Sequence, residues 1–114
     1  MADKQKITEE IMDIIIIGCG KVGTTLAEQL VREDYNVVMI DTSAERMQRV
    51  SDDIDAIKLV GNGASISMQI EAGVQTADML IAVTGSDEMN LLCCLIARKV
   101  GHCHTIARVR NPIY

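Results

Sequence analysis

The chain has 114 residues, a length that suits one domain. Its net charge of -5 disfavours nucleic acid as the main partner, because nucleic-acid-binding proteins concentrate positive charge. Hydrophobic residues make up 48% of the chain, yet Phe and Trp are absent. The core must therefore be aliphatic, which is typical of parallel sheets buried on both faces.

The amino-terminal residues 1–10 are polar and are interpreted as a leader without the features of a signal peptide. The longest apolar run, Ile14–Ile17, is too short to cross a bilayer. The four cysteines do not resemble a disulfide framework, since two of them are adjacent in an apolar helical run. The sequence therefore favours a reduced, cytoplasmic compartment, with any membrane link made through a partner.

Apolar runs and turn residues predict five strands that alternate with four helices. The predicted strands cover Met12–Ile17, Val37–Ile40, Ala56–Val60, Met79–Val83 and Cys103–Val109. The predicted helices extend to about Glu33, follow Thr42 or Ser43 as the cap, cover Ser65–Ala72, and run from the turn at Ser86 to Val100. This alternation predicts an α/β fold: a Rossmann-like doubly wound parallel sheet in three α/β/α layers, with strand order 3-2-1-4-5.

A glycine-rich run, Gly18 to Gly23, connects the first strand to the first helix with G-x-G-x-x-G spacing. Gly18 permits the sharp turn, Gly20 lets a pyrophosphate approach the backbone, and Gly23 lets the helix pack closely on the sheet. The N-terminus of the helix offers unpaired N–H groups to phosphates. In this strand-to-helix context the run predicts a dinucleotide site rather than a plain glycine turn.

An acidic residue, Asp41, ends the second strand 18 residues after Gly23. In dinucleotide-binding folds a carboxylate at this place accepts hydrogen bonds from the adenosine ribose. The same charge would repel a 2′-phosphate, so Asp41 favours NAD(H) over NADP(H). Lys21 in the glycine loop could reach a phosphate or remain an ordinary solvated lysine.

Small polar residues also follow the third and fourth strands, at the edge of the sheet where ligands of open parallel sheets bind. Asn62 and Gly63 could contact adenine, and Thr84 and Gly85 could line the ribose and pyrophosphate. These residues could instead be only turns and helix caps, with Ser86 or Asp87 as the cap.

The end of the chain carries two further patterns. Arg108 and Arg110 flank Val109 on the predicted fifth strand, where Arg108 could meet a phosphate, bridge to a neighbouring subunit or form a surface salt bridge. A metal site at His102 and His104 is disfavoured, because no further ligands follow at metal-binding spacing. We interpret that stretch as a loop entering a strand.

Taken together, the segments IIIIGCGKVGTTLAEQL, VVMIDTSAERMQRV, VGNGAS, ADMLIAVTGSDEMNLLCCLIARK and ARVRNP resemble the RCK N domain. This is the N-terminal, nucleotide-binding domain of TrkA in Trk-type bacterial potassium uptake, and the resemblance covers about residues 12–112. It implies a regulator rather than an enzyme. Exchange of NAD(H), or of ATP and ADP, would change the shape of a homodimer or higher ring on the inner face of a potassium-translocating membrane subunit.

The resemblance also bears on the limits of the domain and on its site. Residues 11–114 would be the dinucleotide-binding domain, ending before the last helix, the last strand and a C-terminal domain. Asn62 stands where the family often has Asp, which leaves charge-based selectivity open. The implied nucleotide-binding residues, with Thr42 added beside Asp41, are Gly18, Gly20, Lys21, Val22, Gly23, Asp41, Thr42, Asn62, Gly63, Thr84, Gly85 and Arg108.

Two alternative functions stay open at this point. The chain could be the cofactor-binding half of an NAD-dependent oxidoreductase, which would require an acid or base and a substrate pocket opposite the nicotinamide. It could also be the regulatory domain of another cation transporter, such as a cation–proton exchanger, which would share every feature described above.

Overall fold

A computed structural model of the protein describes residues 11–113, so the leader predicted at residues 1–10 lies outside the described residues. Strands and helices alternate along the described chain. They are β1 Asp13–Ile17, α1 Lys21–Arg32, β2 Asn36–Asp41, α2 Ala44–Arg49, β3 Ile57–Val60, α3 Ile66–Glu71, β4 Met79–Ala82, α4 Asp87–Val100 and β5 His104–Ala107.

The strands form one parallel sheet in the order β3-β2-β1-β4-β5. β1 lies at the centre, where Ile15 pairs with Val38 of β2 on one side and with Leu80 of β4 on the other. The fold class and strand order predicted from the alternation of elements are thus confirmed. The order reverses between β1 and β4, which is where ligands of such sheets bind.

Two hydrophobic clusters, one on each face of the sheet, create the three layers. Successive residues of β1 point to opposite faces. Ile14 and Ile16 belong to the cluster that contains Ala27 of α1, whereas Ile15 and Ile17 belong to the cluster with Cys93 of α4. Burying one such isoleucine side chain stabilises the fold by about 1.5–3 kcal/mol, so this short run anchors the whole sheet.

Serine side chains begin three of the helices. Ser43, Ser65 and Ser86 each accept a hydrogen bond from the backbone N–H three residues further on, which satisfies one otherwise unpaired donor. The structure thereby chooses Ser43 over Thr42 and Ser86 over Asp87. Helix α1 begins instead at Gly20, which provides no side-chain cap, and its first turn is exposed toward the carboxyl edge of the sheet.

The fifth strand is shorter than the predicted Cys103–Val109, because β5 covers only His104–Ala107. The carboxylate of Asp87 accepts hydrogen bonds from the N–H groups of Arg110 and Asn111, at 3.1 and 2.8 Å, and so draws the chain toward the start of α4. Arg108 and Arg110 consequently lie beyond the strand rather than on it. The hydropathy pattern of the sequence gives no sign of these hydrogen bonds, so the predicted strand extends too far.

Candidate functional site

A cavity of about 550 Å³ opens at the carboxyl ends of the strands, beside the reversal between β1 and β4. All the residues implied by the resemblance line it except Gly23. It is also lined by residues that the sequence analysis did not single out as site residues, namely Ile17, Arg46, Gly61, Val83, Ser86 and Met89.

The three glycines of the loop serve three different geometric needs. Gly18 has φ +106°, a conformation that favours glycine, and its N–H donates to the Ile40 carbonyl at 2.8 Å. At Gly23 an added Cβ would overlap the Gly18 carbonyl oxygen, so this glycine permits the close approach of α1. At Gly20 an added Cβ would meet nothing within 4 Å. The backbone at Gly20 is therefore open to the cavity.

The carboxylate of Asp41 is buried and held from two sides. Its Oδ2 accepts the Cys19 N–H at 2.9 Å, and its Oδ1 accepts the Ser43 N–H at 2.8 Å and Arg46 Nη2 at 2.9 Å. Burial opposes ionisation, but the hydrogen bonds from Arg46, Cys19 and Ser43 outweigh it and lower the pKa of Asp41 to about 2. Asp41 is therefore a charged acceptor at neutral pH.

Arg46, the partner of Asp41, was not predicted as a site residue. It lies in the first turn of α2, five residues after Asp41, and about half of its side chain is exposed. A basic residue in the helix that follows the acidic strand end is the sequence signal that could have indicated the pair.

The thiol of Cys19 is buried inside the glycine loop. Burial and the neighbouring Asp41 carboxylate raise its pKa to about 11. Because the thiolate is the reactive form of cysteine, this thiol is poorly reactive at neutral pH. This environment favours a packing role for Cys19 over a redox-sensitive one.

Two amide side chains, those of Asn62 and the buried Gln69, hold the turn that follows β3. Asn62 Oδ1 accepts the Ala64 N–H at 2.8 Å within the turn. Gln69 is fully buried, and its Nε2 donates to the Gly63 carbonyl at 2.8 Å and to the Cys93 carbonyl at 3.0 Å. One amide group thus ties the β3 turn to the middle of α4, which the sequence pattern around Gln69 does not reveal.

A second buried amide, Asn90 of α4, organises the ends of β4 and β5. Its Oδ1 accepts the Thr84 N–H at 2.8 Å and the Thr84 hydroxyl at 2.6 Å, and its Nδ2 donates to the Arg108 carbonyl at 2.9 Å. Arg108 Nη2 in turn donates to the carbonyls of Val83 and Thr84, at 3.1 and 2.8 Å. These bonds hold the guanidinium group at the cavity wall.

Two other predictions from the sequence can be placed. Val22 fits the apolar spacing of α1, yet it is 42% exposed and lines the cavity. His102 and His104 lie at the amino end of β5, opposite the cavity, as expected. Among residues 11–113, no group of three or more His, Cys, Asp or Glu side chains is arranged to hold a metal ion.

Comparison with known proteins agrees with this architecture. Residues 14–114 match the family described as the TrkA-N domain. The Trk system potassium uptake protein TrkA of Halomonas elongata is 42% identical over 104 residues, which cover 90% of this chain. The chain spans only 23% of the length of that relative.

Two solved structures share the fold. The TrkA-N domain of the inner membrane protein ybaL from Escherichia coli matches with a TM-score of 0.80 at 23% identity, covering 93% of this chain and 78% of that one. The GsuK channel bound to NAD matches with a TM-score of 0.79 at 21% identity, covering 92% of this chain and 19% of that one.

In the part of the chain that the structure describes, no helix combines the length and apolar character that a membrane span requires.

Proposed function

Because the chain belongs to the TrkA-N domain family, we propose that it is a nucleotide-binding regulatory domain of a potassium uptake system. It binds NAD(H) in the cavity at the carboxyl edge of the sheet. Nucleotide exchange changes the shape of an assembly that contains it and so gates ion flow. A nucleotide can shift the gate only by the difference between its affinities for the two states.

The observation that carries this proposal is the chemistry of the cavity wall. The open backbone at Gly20 and the first turn of α1 suit a pyrophosphate, which binds unpaired N–H groups at helix N-termini. Lys21 and Arg108 add positive charge on the same wall, and Asp41 supplies a charged acceptor for ribose hydroxyls. The volume, about 550 Å³, lies within the range of small-molecule sites.

We favour NAD(H) over NADP(H), because a 2′-phosphate would lie against the ionised Asp41. ATP and ADP share the adenosine and the phosphates with NAD, so they are expected to compete for the same contacts. The NAD-bound GsuK channel, which has the same fold, supports the choice of dinucleotide.

A regulatory role is favoured over hydride transfer by the ionisable groups present. Within residues 11–113, the ionisable side chains on the cavity are Lys21, Asp41, Arg46 and Arg108. Asp41 is bound by Arg46 and has a pKa of about 2, so it is a poor general acid or base near neutral pH. An oxidoreductase would need catalytic groups from elsewhere.

The proposed partner is a potassium-translocating membrane subunit. The domain would bind it at the cytoplasmic face of the membrane, assembled as a homodimer or a higher ring. The name of the Halomonas elongata relative supports a role in potassium uptake. Leu92 and Leu95 of α4 and Ile106 of β5 are 45–57% exposed, and these are apolar side chains that assembly would bury. The regulatory domain of another cation transporter is the second candidate, because a TrkA-N domain also occurs in ybaL, an inner membrane protein that is not named as a Trk component.

The first test is a titration of the purified domain with NAD, NADH, NADP, ATP and ADP, followed by calorimetry and thermal unfolding. At 100 times its dissociation constant a ligand should stabilise the fold by about 2.7 kcal/mol. We expect NAD(H) to bind, ATP and ADP to compete, and NADP to bind more weakly. Failure of every nucleotide to bind would contradict the proposal.

Gly20→Ala is the matched variant for this titration. Its added methyl group meets nothing in the free protein but occupies the approach of the pyrophosphate. Affinity for NAD should fall at least about tenfold, while the unfolding midpoint without ligand stays unchanged.

The same variant tests gating in proteoliposomes that contain the full-length protein and its membrane subunit. It should abolish the nucleotide dependence of potassium flux. Flux that depends on nucleotide as in the wild type would contradict gating through this cavity.

A further inference from the structure

The acceptor positions of the Asp41 carboxylate are already occupied in the described structure. Two backbone N–H groups, of Cys19 and Ser43, take one oxygen each. Arg46 adds Nη2 at 2.9 Å and Nε at 3.2 Å to Oδ1, with Nε also 3.3 Å from Oδ2. A carboxylate has about four lone-pair sites, so these donors leave little capacity for a further hydroxyl group.

The donors differ in how easily they can leave. The N–H groups of Cys19 and Ser43 are fixed, because one belongs to the glycine loop and the other to the cap residue of α2. The guanidinium group of Arg46 is held only by a flexible side chain of which 50% is exposed, and it faces the cavity. Such a partly exposed ion pair contributes little net free energy, so a ligand can replace it.

We propose that Arg46 is a displaceable partner of Asp41 that competes with the ribose diol of the bound nucleotide. This inference rests on the proposed function, since it requires a nucleotide ribose at Asp41. Binding breaks the ion pair and transfers the carboxylate from the guanidinium group to the ribose hydroxyls. Arg46 is thus a positioning residue that limits how strongly the site distinguishes ribose from sugars that lack its hydroxyls.

The test compares ADP with 2′,3′-dideoxy-ADP, which lacks both hydroxyls, on the wild-type domain and on Arg46→Met. The methionine keeps an unbranched, mostly apolar stem but removes the competing donors. Loss of positive charge weakens both ligands alike, so the ratio of their dissociation constants isolates the diol. We expect this ratio to rise about fivefold in Arg46→Met, the size of a partly exposed ion pair.

Arg49→Met is the matched control. Arg49 lies on the same helix, is 71% exposed, pairs with Glu45 and does not line the cavity. The ratio should be unchanged in this variant. Should Arg46→Met fold poorly, Arg46→Lys keeps the charge but loses the paired donors, and it should raise the ratio by a smaller factor.

The outcomes separate this inference from the function on which it rests. If the wild-type domain binds ADP but the ratio is unchanged or lower in Arg46→Met and Arg46→Lys, the competition is wrong and nucleotide binding stands. If the wild-type domain binds no nucleotide, the proposed function is wrong, and the inference fails with it.

Discussion

The two halves of the cavity wall are built by different means. Around β1 and β2 the wall is mostly the backbone of the glycine loop and the carboxylate of Asp41, which bonds Arg46 nearby in the chain and Cys19 22 positions away. Around β4 and β5 it depends on side chains that join distant residues, such as Asn90 with Arg108, 18 positions apart. The first half therefore depends mainly on backbone geometry and one carboxylate, whereas the second depends on a buried side-chain amide and its partners.

This difference predicts how substitutions in each half of the cavity wall destabilise the protein. A change in the first half acts through sterics or through one carboxylate. A change in the second half leaves buried polar groups without partners, which costs more than the hydrogen bonds themselves contribute. Substitutions in each half can test whether the contrast is real.

The largest effect is expected at Gly23. In Gly23→Ala the new methyl group overlaps the Gly18 carbonyl oxygen, so α1 must move away from the loop. We expect the free energy of unfolding to fall by about 3 kcal/mol, measured by urea denaturation. Gly20→Ala is the control and should change it by less than about 0.5 kcal/mol. Equal stabilities would show that the loop is not tightly packed.

The second largest loss of stability is expected when the Asn90 side chain is removed. In Asn90→Ala the Thr84 N–H and the Arg108 carbonyl lose buried partners, and we expect a loss of about 2–3 kcal/mol in the same measurement. Gln29→Ala removes an exposed amide that bonds Glu33 and should cost less than about 0.5 kcal/mol. A small effect at Asn90 would mean that the second half tolerates unpaired groups.

The pH dependence of stability tests the first half through Asp41. Its pKa of about 2 in the folded protein lies below the ordinary value of 3.8, so its contribution is present above about pH 4 and is lost as the pH falls toward 2. Asp41→Asn should remove about 2 kcal/mol of that acid sensitivity between pH 5 and pH 2. Arg46→Met should remove part of it, whereas parallel curves for all three proteins would contradict the assignment.

The smallest effect concerns the Thr84 hydroxyl group. Thr84→Val deletes the 2.6 Å bond to Asn90 and the 3.2 Å bond that the hydroxyl accepts from the exposed Ser86 N–H, but leaves the backbone bond from the Thr84 N–H in place. We expect a loss of about 1 kcal/mol, smaller than for Asn90→Ala because fewer buried groups lose partners. Thr25→Val, which removes an exposed hydroxyl that bonds the Lys21 carbonyl, should have less effect. A larger loss at Thr84 than at Asn90 would reverse the proposed order.

The sequence predicted the sheet, its strand order and nearly all of the cavity wall. Periodic apolar runs and turn residues act over a few positions, and the crossover rules convert them into one topology. Gly18, Gly20 and Asp41 could be located because each role depends on local backbone geometry or on the last residue of a strand.

Most of what the sequence could not determine depends on contacts between distant segments, although the helix caps and the Asp41–Arg46 pair are local. It left the caps undecided, extended β5 to Val109, and gave no indication of Gln69 or Asn90, whose partners lie up to 24 positions away. It also assigned Asp41 to a ribose without the Arg46 guanidinium group that already occupies it. Local pattern determines which elements form and in what order. Only the packed structure decides which buried polar groups meet, because their partners are brought together by the sheet.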